Sequence, residues 1–187
     1  GKNSKLSWTQ IETGSSITWK YPSIILKGNN SNGQFNSITL TNHFQQSDTG
    51  SKILHIGNNT SSVIISKTIT LGYSKSTYRG LIKIYKQSNN AKNYTQCDSL
   101  IIDNNSNSYT FPKIETNNTN CEIEHEASIS KINEEQLFYC LQRGLNNEES
   151  IGIIVNGFCK QILKKLPIEF SVEAYKLLNI KIEGAIG

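Results

Sequence analysis

The chain has 187 residues and a formal net charge of +4, a length that suits one domain or one domain with an appendage. The positive charge comes from 17 scattered lysines and only 2 arginines. Because arginine is the residue that binds phosphate in a bidentate way, this composition argues against a nucleic-acid partner. No window contains the roughly 18 consecutive apolar residues that a membrane-spanning helix needs, so we expect no membrane association.

The composition also carries the signature of an AT-rich genome. Asparagine (22 residues) and isoleucine (26) are abundant and alanine (4) is scarce, as AT-rich codons dictate. The chain does not begin with Met, and it opens within a strand-like pattern. We therefore expect it to be the C-terminal part of a longer protein or a processed product.

Short β-type runs fill the first two thirds of the chain, and clusters rich in Asn, Gly and Ser separate them. The runs are 16–19, 23–28, 37–40, 51–57, 61–72, 78–85, 99–103 and 121–126. Many short strands of this kind fit a β-sandwich, a barrel or a β-helix, and the spacing is too irregular for a repeat of fixed period. Asparagine suits the corners because it tolerates left-handed backbone angles and stacks in hydrogen-bonded ladders.

The apolar period becomes helical near residue 128. Asn133 is placed to cap a first helix, and Gly144 closes it. Pro167 ends a second helix and opens a third. The apolar positions of the second helix recur with helical spacing at Ile151, Ile154, Val155, Phe158, Ile162 and Leu166. We therefore predict β structure over 1–127 and a helical domain over 128–187, with the helices closing an open end of the β structure.

The four cysteines differ in their surroundings. Cys140 and Cys159 fall on the apolar faces of predicted helices, where a free cysteine behaves as a small buried hydrophobic side chain. Cys97 follows a polar run and precedes Asp98, so we expect a partly exposed thiol, available as a nucleophile or a soft metal ligand. A disulfide framework is arithmetically possible, but a core of this size does not need one, and we expect reduced thiols.

The stretch CEIEHE, residues 121–126, reads as a strand. Cys121, Ile123 and His125 would share one face and the three glutamates the other. Two ligands four positions apart on a strand are roughly 13 Å apart, which is too far for a single zinc ion. The glutamates either point to water or meet a cation. His43 and His55 show no comparable context.

Two enzyme classes remain open on these patterns. A hydrolase could pair Cys97 with His125 as its base, although no oxyanion-hole motif is visible. A surface β-helix acting on carbohydrate would need an acidic pair and an exposed aromatic row. Trp8, Trp19 and Tyr21 form the one aromatic cluster of the sequence, and we expect these side chains to fill coil corners.

Longer strings of residues carry a resemblance to a known family. They are SKLSWTQIETGSSITWKYPS, NYTQCDSL, YTFPKIE, IEHEASISKINEEQLFYCLQRGL and IVNGFCKQILKKLPIEFSVEAYKLLNIKIEGAIG. Together they resemble the SufB/SufD family of the SUF iron–sulfur cluster assembly system, and within it the C-terminal part of the scaffold subunit SufB. The resemblance extends over 2–187, and the N-terminal part of the family is absent.

The resemblance implies a mainly β fold, a right-handed parallel β-helix followed by a C-terminal α-helical domain. It implies a scaffold and not an enzyme, because ATP hydrolysis belongs to the SufC ATPase that docks on the helical domain. The β-helix would pair with SufD, with a homodimer as a further expectation. Sulfur would come as a persulfide from a SufE/SufS-type desulfurase system.

The resemblance also implies site residues. Cys97 matches the cluster-forming cysteine of the string QCDSL and takes the catalytic role, and Glu124, His125 and Glu126 match the string EHEA, whose members are implicated as ligands. A thiolate is the usual ligand of iron–sulfur clusters, but one thiolate cannot hold a cluster as four cysteines do. We therefore expect further ligands from SufD. Strand alternation keeps His125 off the face of both glutamates.

The cargo implied by the resemblance is a transient iron–sulfur cluster, which we expect to be of the 4Fe-4S type. Whether reduced flavin binds the whole complex stays open. No role is carried over to Cys121, Cys140 or Cys159. Together with the AT-rich composition, the resemblance predicts a plastid location of the apicoplast type, in the stroma, with a bacterial cytoplasm as the alternative.

Overall fold

The computed structural model describes residues 1–186, with side chains described as far as Ile182. Within those residues the chain forms ten strands followed by three helices. The strands are β1 (Lys5–Thr13), β2 (Ile17–Lys20), β3 (Ser23–Leu26), β4 (Asn32–Thr41), β5 (Gln46–His55), β6 (Ser61–Thr70), β7 (Lys75–Ile84), β8 (Ala91–Ile101), β9 (Asn107–Thr116) and β10 (Cys121–Lys131). The helices are α1 (Glu134–Gln142), α2 (Asn147–Leu163) and α3 (Ile168–Ile186).

The strands wind into a parallel β-solenoid of about four turns. Sheet A has the order β1-β4-β6-β8-β10, and sheet B has the order β2-β5-β7-β9 with β3 also beside β5. All pairings between these strands are parallel. Residues opposite each other on neighbouring strands of sheet A are 27 to 31 positions apart in the chain. The prediction of a parallel β-helix is confirmed, and the sandwich and barrel alternatives are excluded.

Most strands are longer than the apolar runs that predicted them. Strand β4 begins at Asn32 and not near residue 37, and β8 begins at Ala91 and not near residue 99. Strand β9 was not predicted at all. The reason is that small polar side chains occupy many inner positions of the solenoid, where a sequence pattern based on apolar residues does not detect a strand.

These inner polar side chains bond to one another from coil to coil. Ser37 Oγ donates to Ser66 Oγ at 2.9 Å, and Ser47 and Ser76 are joined at 2.7 Å across sheet B. Apolar side chains fill the rest of the interior, including Ile24, Leu26, Phe35, Ile53, Ile64, Ile82 and Ile84. These four serine hydroxyls are stable there because they are paired, as buried polar groups in proteins generally are.

One corner of the solenoid is a ladder of asparagines. Asn3, Asn30, Asn59 and Asn90 have φ between 53° and 58°, in the left-handed region that asparagine tolerates. The Nδ2 atoms of Asn30, Asn59 and Asn90 each donate to Oδ1 of the asparagine one coil earlier, at 3.0–3.2 Å. The predicted role of asparagine at the corners is therefore confirmed.

The three predicted helices are also confirmed. Asn133 caps α1, Asn146 and Glu149 form a capping box at α2, and α3 follows Pro167. Strand β10 continues to Lys131, so the change from strand to helix lies a few residues beyond the expected boundary. The prediction that the helices close an open end of the β structure is wrong, because they cover the outer face of sheet A. One shared core joins them to it and contains Ile38, Leu40, Ile65, Ile69, Val155, Ile162, Leu163 and Leu178.

The aromatic side chains do not fill coil corners as expected. Trp8 lies in β1 and Trp19 in β2, and Trp19 is 77% exposed on the outer face of sheet B. In residues 1–186, no helix is both long enough and apolar enough to cross a bilayer.

Candidate functional site

The last coil of the solenoid leaves its inner face partly uncovered. Strand β9 pairs with β7 and β10 pairs with β8, and no described strand lies beyond either of them. Ile114 and Ile129 occupy inner-facing register positions, opposite the buried Ile82 and Ser99. Both isoleucines are nonetheless about half exposed, at 46% and 52%. The unpaired edge strands and this apolar surface together form the open end of the solenoid.

Cys97 lies in β8, one coil inside that open end. Its side chain faces the interior and is 3% exposed, within the core that contains Phe35, Ile64 and Tyr78. The expectation of a partly exposed thiol is therefore wrong. The polar residues before Cys97 suggested an exposed segment. Every second one of them, namely Asn93 and Thr95, instead lines the solenoid interior and is buried.

Burial makes the Cys97 thiol a weaker acid as long as the surrounding coils stay folded. It raises the pKa of Cys97 to about 12, with a smaller contribution from the Asp98 carboxylate. Cys159 on α2 is also buried, as expected, and burial raises its pKa to about 12 as well. Both cysteines are therefore protonated and unreactive at neutral pH unless the structure around them opens.

His125 lies close to Cys97 on the same inner face. In the β8–β10 ladder, Cys97 is opposite Ala127 and Thr95 is opposite His125. One strand spacing and two residues of rise place the Cα atoms of Cys97 and His125 roughly 8 Å apart. His125 is half-buried because no further coil covers it. The structure thus brings together two of the four predicted site residues inside the terminal coils.

Glu124 and Glu126 lie on the opposite face of β10, as strand alternation predicted. Both are exposed, and Glu126 Oε2 accepts a hydrogen bond from the Tyr94 hydroxyl at 3.1 Å. Beside them, Glu122 is paired with Lys92 at 2.7 Å. The strand therefore separates the imidazole from both carboxylates.

The side chains of this chain do not form a metal cage by themselves. Among the described residues, no group of three or more His, Cys, Asp or Glu side chains is placed to hold one metal ion. Cys121 lies at the far end of β10, opposite Ala91, and its thiol donates to the Asn118 carbonyl at 3.2 Å. A cluster at Cys97 would therefore need ligands from outside the chain.

Sequence reasoning missed a buried ion pair beside Cys97. Lys67 Nζ is 2.6 Å from Asp98 Oδ2, and Ser128 Oγ of β10 donates to the other oxygen of Asp98 at 2.5 Å. The Lys67 ammonium also lies 4.8 Å from the centre of the Phe158 ring of α2. The signal was present, because Lys67 stands between Ile65 and Ile69 in an apolar row.

Sequence reasoning also set aside His55, which the structure buries completely. Its Nδ1 is 2.8 Å from Thr60 Oγ1 and its Nε2 is 2.9 Å from Ser62 Oγ. Burial lowers the pKa of His55 to about 4, so the ring is neutral at physiological pH. Its alternation with Ile53 in the run SKILHIG already indicated an inner-facing position.

Comparison with known proteins gives a family match over most of the chain. A family model described as "SUF system FeS cluster assembly, SufBD core domain" matches residues 1–158. That range contains all ten strands, α1 and the four predicted site residues.

Relatives with curated descriptions agree with this match. The chain is 59% identical over 187 residues to the iron-sulfur cluster assembly SufBD family protein ycf24 of Porphyra purpurea, covering 100% of the chain and 38% of the relative. It is 60% identical over 185 residues to ycf24 of Galdieria sulphuraria, covering 99% of the chain and 84% of the relative. The chloroplastic SufBD family protein ABCI8 of Arabidopsis thaliana is 49% identical over 187 residues, 100% of the chain and 34% of the relative. The chain thus spans about two fifths or less of two of these three relatives.

Proposed function

The chain belongs to the SufBD family of the SUF iron–sulfur cluster assembly system, and on that premise we propose that it is a scaffold of the SufB type. Its task is to receive sulfur and iron and to build a nascent cluster at the open end of the solenoid. The single observation that carries this proposal is the position of Cys97 and His125. They share one inner face at the coil whose outer edge has no described neighbour.

Sulfur transfer requires the terminal coil to open. The Cys97 thiol then loses its proton, with His125 as the base on the same face, and the thiolate attacks the outer sulfur of a donor persulfide. A new S–S bond forms on Cys97 while the donor's S–S bond breaks, and the donor leaves as a thiolate. The donor is a desulfurase system of the SufE/SufS type, as the resemblance implies.

Iron is held as cargo by a ligand set that this chain shares with a partner. Cys97 and His125 supply a soft thiolate and an imidazole on the inner face. Glu124 and Glu126 lie on the outer face and supply hard oxygen ligands to a separate site, which suits iron before sulfide arrives. The missing ligands come from SufD or a second copy of the chain, docked on the unpaired edges of β9 and β10. Unpaired strand edges favour this kind of association. A 4Fe-4S cluster is the expected product.

The helical domain is the proposed docking surface for the SufC ATPase. Several large apolar side chains of α1 and α3 remain exposed although the helices pack on sheet A, namely Phe138, Tyr139, Ile168, Phe170 and Ile180. Exposed apolar side chains grouped in one small domain mark protein interaction sites. ATP hydrolysis, and any flavin chemistry, then belong to the assembled complex and not to this chain.

A plastid location fits the relatives best. They include a chloroplastic protein of Arabidopsis thaliana. Together with the AT-rich composition, this supports a reduced plastid of the apicoplast type, with the bacterial cytoplasm as the alternative. Detection of the transcript in an organellar RNA fraction would distinguish the two.

Anaerobic reconstitution tests the proposed function. The full chain, assembled with its SufC and SufD partners, is given ferrous iron and sulfide, and the charge-transfer absorption of the cluster is recorded. We expect Cys97→Ser to abolish the absorption and Cys159→Ser to retain it. Cys159 is a matched control because it is equally buried and its pKa is raised to the same value. If the two variants behave alike, the assignment of Cys97 is wrong.

A further inference from the structure

A chain of hydrogen bonds crosses the interior of the solenoid and ends beside His125. Its members are Thr95, Asn93, Ser62, His55 and Thr60, and each is less than 5% exposed. Neither the proposed sulfur transfer nor the proposed iron site uses any of them. The property of this hydrogen-bond network that matters for His125 is which of its ends donates a proton and which can only accept one.

The direction of the chain follows from the carbonyl at its far end. Thr60 Oγ1 donates at 3.3 Å to the Gly57 carbonyl, which also accepts from Ser88 Oγ at 2.6 Å, and with this bond made Thr60 can only accept from His55. The neutral His55 ring then carries its proton on Nδ1 and presents a bare Nε2. Ser62 must donate its hydroxyl proton to that nitrogen. In this arrangement each of these buried protons has an acceptor.

The same argument continues to Thr95. Because the Ser62 proton is committed to His55, Ser62 accepts from Asn93 Nδ2, at 2.8 Å. The amide of Asn93 is thereby oriented with Oδ1 toward Thr95, whose hydroxyl donates to it at 3.0 Å. All bonds of the chain therefore run one way, from Thr95 to Gly57. The Thr95 oxygen is left with lone pairs only.

Those lone pairs lie next to His125. Thr95 and His125 are directly opposite in the parallel ladder, and directly opposite residues of neighbouring strands project to the same face, about 4.8 Å apart. Among the described residues no hydrogen bond joins the two side chains, but at this separation the Thr95 oxygen is within reach of a ring N–H of His125, whereas a bare ring nitrogen would gain nothing there. Histidines that bind metals usually donate their second ring N–H to a fixed acceptor, which sets the tautomer.

We propose that Thr95 is a positioning residue that holds His125 in a single tautomer, with one ring nitrogen bound to Thr95 and the other left free as a ligand. His55 and Ser62 act through Thr95 by fixing the direction of its hydroxyl. This inference rests on the proposed role of His125 as an iron ligand, but its test uses neither iron nor sulfide. A hydrogen bond of ordinary strength gives about a tenfold preference between tautomers.

The test reads the imidazole nitrogens of the full chain by two-dimensional ¹H–¹⁵N spectroscopy near neutral pH. The chain has 3 histidines, which His43→Gln and His55→Gln assign. We expect His55 in the Nδ1–H tautomer and His125 in one dominant tautomer. Thr95→Val removes the acceptor and should leave His125 as a mixture, whereas Thr95→Ser should keep the single tautomer.

Two results would overturn the proposal. A wild-type His55 in the Nε2–H tautomer would reverse the chain, and this measurement needs no variant that could fail to fold. A His125 whose tautomer ratio is the same in the wild type and in Thr95→Val would show that Thr95 does not position it. Failure of the tautomer test would not change the outcome of the Cys97→Ser reconstitution, and failure of the reconstitution would not change the tautomer result. The two proposals can therefore be tested separately.

Discussion

Cys97 and Cys159 are both buried thiols with raised pKa values, yet they lie on opposite sides of sheet A. Cys97 faces the solenoid interior next to the open end, and Cys159 projects from α2 onto the outer face. Burial alone therefore does not separate a reactive cysteine from an inert one. The proposed function requires that the two thiols differ in the stability of the element that covers each of them.

Opening of the terminal coil should control alkylation of Cys97. Ser128 Oγ of β10 donates to Asp98 of β8, and loss of such a bond costs about 1 kcal/mol, or about fivefold in the opening equilibrium. We expect Ser128→Ala to accelerate modification of Cys97 by iodoacetamide about fivefold, as measured by peptide mass spectrometry. The rate at Cys159 serves as the internal control, and equal acceleration at both cysteines would contradict local opening.

The buried pair of Lys67 and Asp98 should be costly to break from one side. Lys67→Met leaves the partly buried Asp98 carboxylate without its cation, and such a loss destabilises a protein by at most about 3 kcal/mol where hydrogen bonds to the carboxylate remain. The double variant Lys67→Met, Asp98→Asn removes both charges and should recover most of that stability. Urea unfolding gives all three free energies, and a double variant as unstable as the single one would contradict the pairing.

The buried His55 should make stability depend on pH. Its pKa is 6.5 ordinarily and about 4 in the fold, so on acidification the unfolded chain takes up the proton first. The stability that depends on a neutral His55 is fully present above about pH 6.5. It is lost as the pH falls from there to about 4, which lowers the free energy of unfolding by at most about 3 kcal/mol. His55→Gln should flatten this part of the profile measured by urea unfolding. If the pH dependence of the free energy of unfolding is the same in His55→Gln as in the wild type, groups other than His55 cause it.

The asparagine ladder should tolerate glycine better than alanine. Asn59 has φ of 53°, which costs an alanine about 1 kcal/mol and costs glycine almost nothing. Both substitutions remove the same side-chain bonds to Asn30 and Asn90. Thermal unfolding should therefore rank the wild type above Asn59→Gly, and Asn59→Gly above Asn59→Ala. Equal stability of the two variants would mean that backbone strain is unimportant there.

Local patterns predicted the helices and the face on which each β10 side chain lies. The capping residue Asn133, the spacing of apolar residues in α2 and the alternation of His125 with its flanking glutamates are all properties of neighbouring residues. They could be predicted because a helix or strand imposes its period directly on the sequence. The β-helix itself was one of three possibilities until the family resemblance selected it.

The burial of Cys97 could not be predicted in the same way. It is preceded in sequence by a polar run and followed by Asp98, and its actual neighbours come from other coils. Ser62, for example, bonds to Asn93, which is 31 positions later in the chain. A polar residue inside a solenoid looks like a surface residue until the register between coils is known. That register depends on corner lengths, which local propensity does not determine.

The stacking of the coils has a consequence for how this protein can change over evolutionary time. Hydrogen bonds between neighbouring parallel strands keep the coils in register. Coils of unequal length therefore still stack without a shift of their inward-facing side chains. Insertions or deletions at a corner outside the asparagine column would alter residue numbers downstream while leaving Cys97 opposite Ala127. The geometry at the open end is therefore insulated from length variation elsewhere in the chain, and distant homologues can keep it while diverging at their corners.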